Sequence, residues 1–204
     1  MESKTFNMAF RKKIALFGGS FNPIHCGHME IANQLIEDKV VDEVWFIPCG
    51  NHPFDKKLVN GLERINMINF AISSNPCFKL FDIELNKKEK SYTAETWRWF
   101  NERFNHGFYL IIGSDNLTSL DRWHDLEYIK NNVNFILVKR SGFDINLIKD
   151  LKIYYILNIN NRISSTQVRE NIVKGISISN LVPKKVEEYI VKEDLYIEKL
   201  YESC

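Results

Sequence analysis

Two glycines, a serine and two histidines crowd into one short run, Gly18-Gly19-Ser20-Phe21-Asn22-Pro23-Ile24-His25-Cys26-Gly27-His28, and that combination suits the handling of phosphate. Glycine lets main-chain N–H groups approach an anion with no Cβ in the way. A helix start aims its unpaired N–H groups and the positive end of its dipole at the same place. The run follows an apolar, strand-like stretch, Ile14-Ala15-Leu16-Phe17, and opens a helix-like one. The glycines therefore meet the helix start at a strand-to-helix junction. His25 and His28, three apart across that start, can face one ligand together. A lone Gly-Gly would read as a turn; the two histidines at the junction argue for a site.

The spacing excludes two common phosphate motifs. A dinucleotide fingerprint needs G-x-G-x-x-G, and a Walker loop ends in G-K-[ST]. The run instead resembles the (H/T)-x-G-H signature of the nucleotidyltransferase superfamily, in the G-G-[ST]-F-[DN]-P-x-H-x-G-H form of the nicotinate (nicotinamide) mononucleotide adenylyltransferases, bacterial type. Three later segments resemble the same family in the same order. They are Ser91-Tyr92-Thr93-Ala94-Glu95-Thr96, then Ile112-Gly113-Ser114-Asp115-Asn116-Leu117 followed by Arg122-Trp123, then Ile163-Ser164-Ser165-Thr166-Gln167-Val168-Arg169. Four ordered motifs are far more specific than one.

The resemblance implies an enzyme of NAD biosynthesis that transfers the adenylyl group of ATP to nicotinate mononucleotide, with nicotinamide mononucleotide an open second acceptor. The products are deamido-NAD (or NAD) and pyrophosphate. The substrate phosphate attacks the α-phosphorus directly, so the protein's work is positioning and neutralising charge. By resemblance, His25, His28 and Arg169 are the catalytic group, the histidines on the α- and β-phosphates and Arg169, with Ser165 and Thr166, on the β- and γ-phosphates. Gly18, Gly19, Ser20 and Phe21 cradle the same groups, Ile163, Ser164 and Gly113 complete the ATP-binding set, and Asp115 takes the ribose hydroxyls. For the pyridine nucleotide the family implies Ser20 and Phe21, Thr93 with the Ala94 N–H on the carboxylate, Trp123 stacked on the ring and main-chain contact from His124. Mg²⁺ is expected mainly on the ATP phosphates, without a protein metal site. Two alternatives stay open. One is another enzyme of the signature, of the phosphopantetheine adenylyltransferase or cytidylyltransferase type, against which Ser91–Thr96 argues. The other is a non-catalytic nucleotide-binding module, against which His25, His28 and Arg169 argue. The loop Cys49–Phe54 departs from the bacterial pattern, in which Pro-Pro-His usually follows, and leaves the mononucleotide phosphate contacts unassigned.

Several of these residues also carry a local reading. Ser164-Ser165-Thr166-Gln167 has the S-x-x-Q form of a capping box and marks a helix start. Arg169 then stands near the positive end of that helix, where a cation is disfavoured unless an anion is close. Asp115 can cap or complement a helix dipole, and Thr93 can cap the helix it opens. Trp45 and Trp97 read as core, Trp97 sharing a stripe with Phe100 and Phe104. Trp123, set among Asp121, Arg122, His124 and Asp125, reads as a stacking platform. Cys26 beside two histidines lacks zinc spacing. Four cysteines without a C-x-x-C point to reduced thiols.

The elements needed to hold these residues follow from hydrophobic period. Strands are expected at Lys13–Gly18, Glu43–Pro48, Phe78–Glu84, Phe108–Ile112, Val133–Lys139 and Lys152–Leu157. Helices are expected at Gly27–Glu37, Leu62–Ser73, Thr93–Phe104, around Leu126–Lys130, from Ser165, and after Pro183 in a first turn. Strands separated by helices give an α/β, Rossmann-like doubly wound parallel sheet, with ligands at the carboxyl ends of strands. The chain has 204 residues, 45% hydrophobic and 13% aromatic, which suits one domain over 13–204, with C-terminal helices and a 1–12 N-terminal extension. Its net charge of +1 gives no electrostatic case for nucleic acid or membrane. The first residues lack an apolar leader, which points to the cytoplasm. A homo-oligomer stays open.

Overall fold

The computed structural model describes residues 11–50, 58–85, 90–139 and 150–197. Six strands form one all-parallel sheet: β1 Lys13–Gly19, β2 Glu43–Pro48, β3 Phe78–Leu80, β4 Gly107–Gly113, β5 Asn134–Lys139 and β6 Lys152–Asn158, in the order β3-β2-β1-β4-β5-β6. The order reverses between β1 and β4, so a crevice opens there at the carboxyl ends. The helices are α1 Cys26–Glu37, α2 Gly61–Ile72, α3 Thr93–Arg103, α4 Leu126–Asn132, α5 Ser165–Val173 and α6 Lys184–Lys192, with a 3-10 helix over Ser114–Arg122.

Strand alternation explains why helices cover both faces. Ala15, Phe17, Val44 and Phe46 enter one core with α1, α2, α5 and α6. Ile14, Leu16, Trp45 and Ile47 enter the other with α3 and α4. Strands buried on both sides read as continuous apolar runs, as β2 does with every residue buried. Trp45 and Trp97 retain 2% and 4% exposure, which confirms them as core. The C-terminal helices belong to the same body: Tyr189 on α6 donates its hydroxyl to Glu63 on α2 at 2.6 Å and accepts from Asn66 at 2.7 Å.

Two expectations are corrected and one element is added. The third strand ends at Leu80, not Glu84, because the chain turns at Ile83–Leu85, where the Leu85 N–H reaches the Asp82 carbonyl at 2.9 Å. The segment after Gly113 is a 3-10 helix with no counterpart in the hydrophobic pattern, since its period of three mimics neither strand nor α-helix. Pro183 is the N-cap of α6, one position before the expected first turn. Most of the expected 1–12 extension, and residues 51–54 of the loop Cys49–Phe54, lie outside the described residues.

Candidate active site

The glycine run leaves β1 at the reversal point. A Cβ on Gly18 would meet nothing within 4 Å, so this residue opens onto empty space. A Cβ on Gly19 would lie 3.1 Å from the Phe21 ring, so that ring packs closer to the loop than a larger residue would let it. Phe21 itself holds φ at 45°, a left-handed value rare for a bulky residue. Its ring is 1% exposed and meets Phe17, Phe46 and His28 at centroid distances of 5.6, 5.7 and 5.0 Å. The backbone of the loop is thus held by a buried aromatic anchor.

His25 is the N-cap of α1 and His28 its third residue. The rings stack at 3.7 Å between centroids, 26° apart. The His25 main-chain N–H donates to His28 Nδ1 at 3.2 Å. With Nδ1 an acceptor, a neutral His28 carries its proton on Nε2 and becomes a donor there. His28 lines a cavity of about 610 Å³ at the carboxyl end of the sheet, together with Gly18, Gly19 and Ser20. His25 does not line it; at 3% exposure it lies behind its partner. The two rings are therefore brought together, but one faces the cavity. Gly27 was not singled out among the site residues, and it matters: a Cβ there would sit 3.1 Å from His25 Nδ1.

Across the cavity stands the start of α3. Tyr92 is its N-cap and offers no capping side-chain bond; Thr93 is the first helical residue. The expectation that the Thr93 hydroxyl caps the helix is corrected, because Thr93 lies one position inside the cap. The first N–H groups of a helix have no intrahelical partner, and here the Tyr92 side chain does not cap those of Thr93 and Ala94. Thr93 lines the cavity, whereas Ala94 is fully buried and could serve only through its N–H. Glu84 also lines the cavity, and its carboxylate accepts the Thr96 hydroxyl at 2.5 Å.

The third wall is the 3-10 helix and the corner after it. A Cβ on Gly113 would run into Asp115 Oδ1, so the carboxylate folds back over the strand end into space that a larger residue would make it leave. The capping position is Gly113, and Asp115 sits in the first turn, exposed and lining the cavity. Trp123 is half-buried against the α3/α4 core and lines the cavity too. The His124 ring stacks on Tyr92 at 4.5 Å, so Tyr92 belongs to the wall and not to the core. Asp125, at φ 55°, pairs with Arg98 of α3, whose hydrogen bond holds its carboxyl below the usual carboxylate range. That ion pair ties the corner to the helix opposite.

Helix α5 gathers its residues elsewhere. Ser164 Oγ caps it by accepting the Gln167 N–H at 3.2 Å, which is one of the two bonds of the expected capping box. Ser165 Oγ donates to the Pro23 carbonyl at 2.9 Å, and Arg169 donates to the Asn22 carbonyl at 2.7 Å and to Thr166 Oγ1 at 3.2 Å. Ile163 donates its N–H to Asn161 Oδ1 at 2.8 Å, which braces the helix start. Ser165, Thr166 and Arg169 are therefore assembled on the glycine loop, though none lines the cavity. Asn22 is the hub that the sequence did not reveal: its Oδ1 accepts the Val59 N–H at 3.2 Å and the Tyr196 hydroxyl at 3.0 Å. Burial pushes the Tyr196 phenol far up, against the opposing pull of Arg169 and Arg64. Among the described residues no cluster of His, Cys, Asp and Glu could hold a metal ion, and no helix is long and apolar enough to cross a membrane.

The chain matches a cytidylyltransferase-like family over residues 16–171. It is 38% identical over 184 residues to a probable nicotinate-nucleotide adenylyltransferase of Hydrogenobaculum sp. (strain Y04AAS1), covering 90% of this chain and 97% of that one. It is 34% identical over 188 residues to the nicotinate-nucleotide adenylyltransferase of Bacillus subtilis (strain 168), covering 91% and 98%. Among solved structures it is similar to Plasmodium falciparum nicotinic acid mononucleotide adenylyltransferase complexed with NaAD, at a TM-score of 0.81 and 27% identity over 93% of this chain and 100% of that one. The same enzyme complexed with APC gives 0.78 and 26%, over the same shares.

Proposed function

The chain belongs to the cytidylyltransferase-like family, and from that premise we propose that it transfers the adenylyl group of ATP to nicotinate mononucleotide in NAD biosynthesis. The observation that carries this reading is the cavity at the strand-order reversal. On one side His28 is fixed as an Nε2 donor beside the open Gly18; on the other, the uncapped start of α3 faces it with Thr93 and the Trp123 ring. The first side suits phosphates and the second a flat ring bearing a carboxylate. The names of the relatives and the NaAD bound to the Plasmodium enzyme support the same substrates.

In the reaction an oxygen of the mononucleotide phosphate forms a bond to the ATP α-phosphorus as the bond to the β-bridging oxygen breaks, and pyrophosphate leaves. No protein nucleophile takes part. His28 Nε2–H donates to the phosphoryl oxygens on which charge builds, with His25 stacked behind to hold its orientation. Gly18, Gly19, Ser20 and Phe21 lend main-chain N–H groups. Arg169, with Ser165, Thr166, Ser164 and Ile163 at the start of α5, steadies the β- and γ-phosphates. Asp115, folded over Gly113, accepts from the adenosine ribose. Thr93 and the Ala94 N–H receive the nicotinate carboxylate, Trp123 stacks on the pyridine, and His124 closes the wall. Mg²⁺ would be held mainly by the ATP phosphates and would offset their charge. The protein works in the cytoplasm without a nucleic-acid or membrane partner.

The test is an end-point assay of pyrophosphate release from Mg·ATP with nicotinate mononucleotide, nicotinamide mononucleotide, phosphopantetheine and a phosphorylated alcohol with CTP. Release with nicotinate mononucleotide is the expected result. Release with phosphopantetheine or CTP alone would place the chain in the sister class, and none at all would leave a binding module.

A further inference from the structure

Helix α2 carries an arginine on its apolar stripe: its buried residues are Arg64, Met67, Ile68 and Ile72, the spacing of a core-facing side. Arg64 retains 3% exposure. A guanidinium so far from water is ordinarily paired with a carboxylate, because an uncompensated buried charge is strongly unfavourable. Among the described residues Arg64 has no carboxylate in ion-pair range. The neighbouring acid, Glu63, accepts instead from the Tyr189 hydroxyl. Arg64 Nη1 donates to the Ser20 carbonyl at 3.0 Å and the Cys49 carbonyl at 2.7 Å, and its buried Nε has no partner among the described residues.

Those two carbonyls sit where the chain leaves β1 and β2, and Ser20 and Cys49 both line the cavity. The two exits are joined to each other as well, since the Cys49 N–H donates to the Gly19 carbonyl at 2.9 Å. Carbonyl oxygens turned toward a phosphate would repel it. Here two of them are engaged from behind, by a guanidinium that has no carboxylate in ion-pair range among the described residues. The loop is gripped twice: a guanidinium holds the carbonyl of Ser20, another that of Asn22, and Phe21 between them keeps its left-handed backbone.

We propose that Arg64 is a positioning residue of the phosphate site, holding the loops at Ser20 and Cys49 in their anion-binding form and supplying a permanent counter-charge from behind them without touching substrate. The proposal rests on the reading of the cavity as a nucleotide-phosphate site. The substrate phosphates would face that guanidinium through the two loops it holds, so their binding depends on a side chain outside the cavity wall.

Arg64→Lys and Arg64→Met test it. Folding is followed by circular dichroism and thermal melts, binding of inorganic pyrophosphate by calorimetry, and turnover by the pyrophosphate-release assay. The expected result is two folded variants. Arg64→Met weakens pyrophosphate binding by roughly tenfold or more and raises KM for both substrates by a larger factor than it lowers kcat. Arg64→Lys keeps the charge but lacks the fork that spans two carbonyls, and recovers part of the affinity. A folded Arg64→Met with pyrophosphate affinity and KM values within twofold of the parent overturns the proposal. So does an activity loss that merely follows the folded fraction, and so does failure of both variants to fold, since each makes the arginine a core element only. The pyrophosphate measurement needs no acceptor. A parent protein that binds pyrophosphate but makes no dinucleotide from nicotinate mononucleotide would sink the proposed reaction and leave the Arg64 result standing.

Discussion

Strand β2 has a buried charge at each end, and the two are treated in opposite ways. At its amino end Glu43, 5% exposed, receives Lys12 at 2.5 Å, Lys79 at 2.7 Å and the Trp45 indole N–H at 2.7 Å. At its carboxyl end Arg64 holds the Cys49 carbonyl and has no acid in range among the described residues. One charge is satisfied within the protein and contributes to stability. The other is satisfied only as far as hydrogen bonds go, at the edge of the sheet where the phosphates are proposed to bind. The difference teaches that the chain spends its internal neutralisation away from the cavity and withholds it, among the described residues, where the phosphates are proposed to bind. Substitutions at the two ends should therefore divide cleanly into losses of turnover and losses of stability.

The largest effect is expected at the cavity end. His28→Ala removes a preorganised donor, and loss of one such donor lowers kcat on the order of 10²–10³-fold. It also removes the acceptor for the His25 N–H, a single neutral hydrogen bond of about 1 kcal/mol, so melting should fall by only a few degrees. Wild-type turnover in this variant would break the division. Arg169→Ala is expected next, at roughly 10²-fold in kcat/KM, with a raised KM for ATP because the same group holds ground-state triphosphate. Unchanged ATP affinity by calorimetry would remove Arg169 from the phosphates and leave it as a clamp on Asn22.

Local chemistry made one part of this site readable and sequence separation hid the rest. The glycine loop, the two histidines and the helix start at Ser164 are contiguous runs whose turn and cap preferences act over a few residues. The sheet was readable for a similar reason, since strands buried on both faces leave unbroken apolar runs such as Val44–Ile47. The braces were not. Asn22 joins Val59, Arg169 and Tyr196, and Arg64 joins Ser20 and Cys49, across gaps that no pattern spans. One signal was present: a charged residue in phase with Met67, Ile68 and Ile72 on an apolar helix face is an anomaly worth a question. Thr93 shows the limit from the other side. Its helix was evident, yet which residue held the cap was not, because Tyr92 takes that position with no side-chain bond.

That uncapped helix start gives the cavity a second source of positive potential, from a dipole and not from a side chain, and it carries a smaller expectation. A carboxylate gains more than a neutral carboxamide from free N–H groups at a helix N-terminus. A charge-assisted hydrogen bond contributes roughly 1.5–3 kcal/mol, so nicotinate mononucleotide should exceed nicotinamide mononucleotide by about tenfold to a hundredfold in kcat/KM. Thr93→Val keeps the shape and the main chain and should lower that ratio in part. Equal kcat/KM for the two mononucleotides would show that the wall at Thr93 does not receive the carboxylate.

The smallest expected effect lies at the amino end and is a matter of stability alone. Burial alone would raise the Glu43 pKa; hydrogen bonds from Lys12, Lys79 and Trp45 outweigh it and hold the carboxyl at about 2, against 4.5 for a free side chain. A carboxyl depressed in the folded state contributes stability that is complete above the unfolded value and is lost as pH falls from about 4.5 toward 2. Lys12 and Lys79 are 53% and 47% exposed, and water screens their half of the bargain, so about 1–2 kcal/mol is a fair expectation at neutral pH. Glu43→Gln keeps an acceptor for the indole and loses the charge. It should melt a few degrees lower at pH 7 with kcat and KM within twofold of the parent. Lowering the pH supplies the sharper check, because every other carboxyl titrates in both proteins alike. The gap in melting temperature between parent and variant should narrow below pH 4.5 and vanish near pH 2. A gap that stays constant with pH would assign the loss to packing, and the contrast between the two ends of β2 would no longer be one of charge.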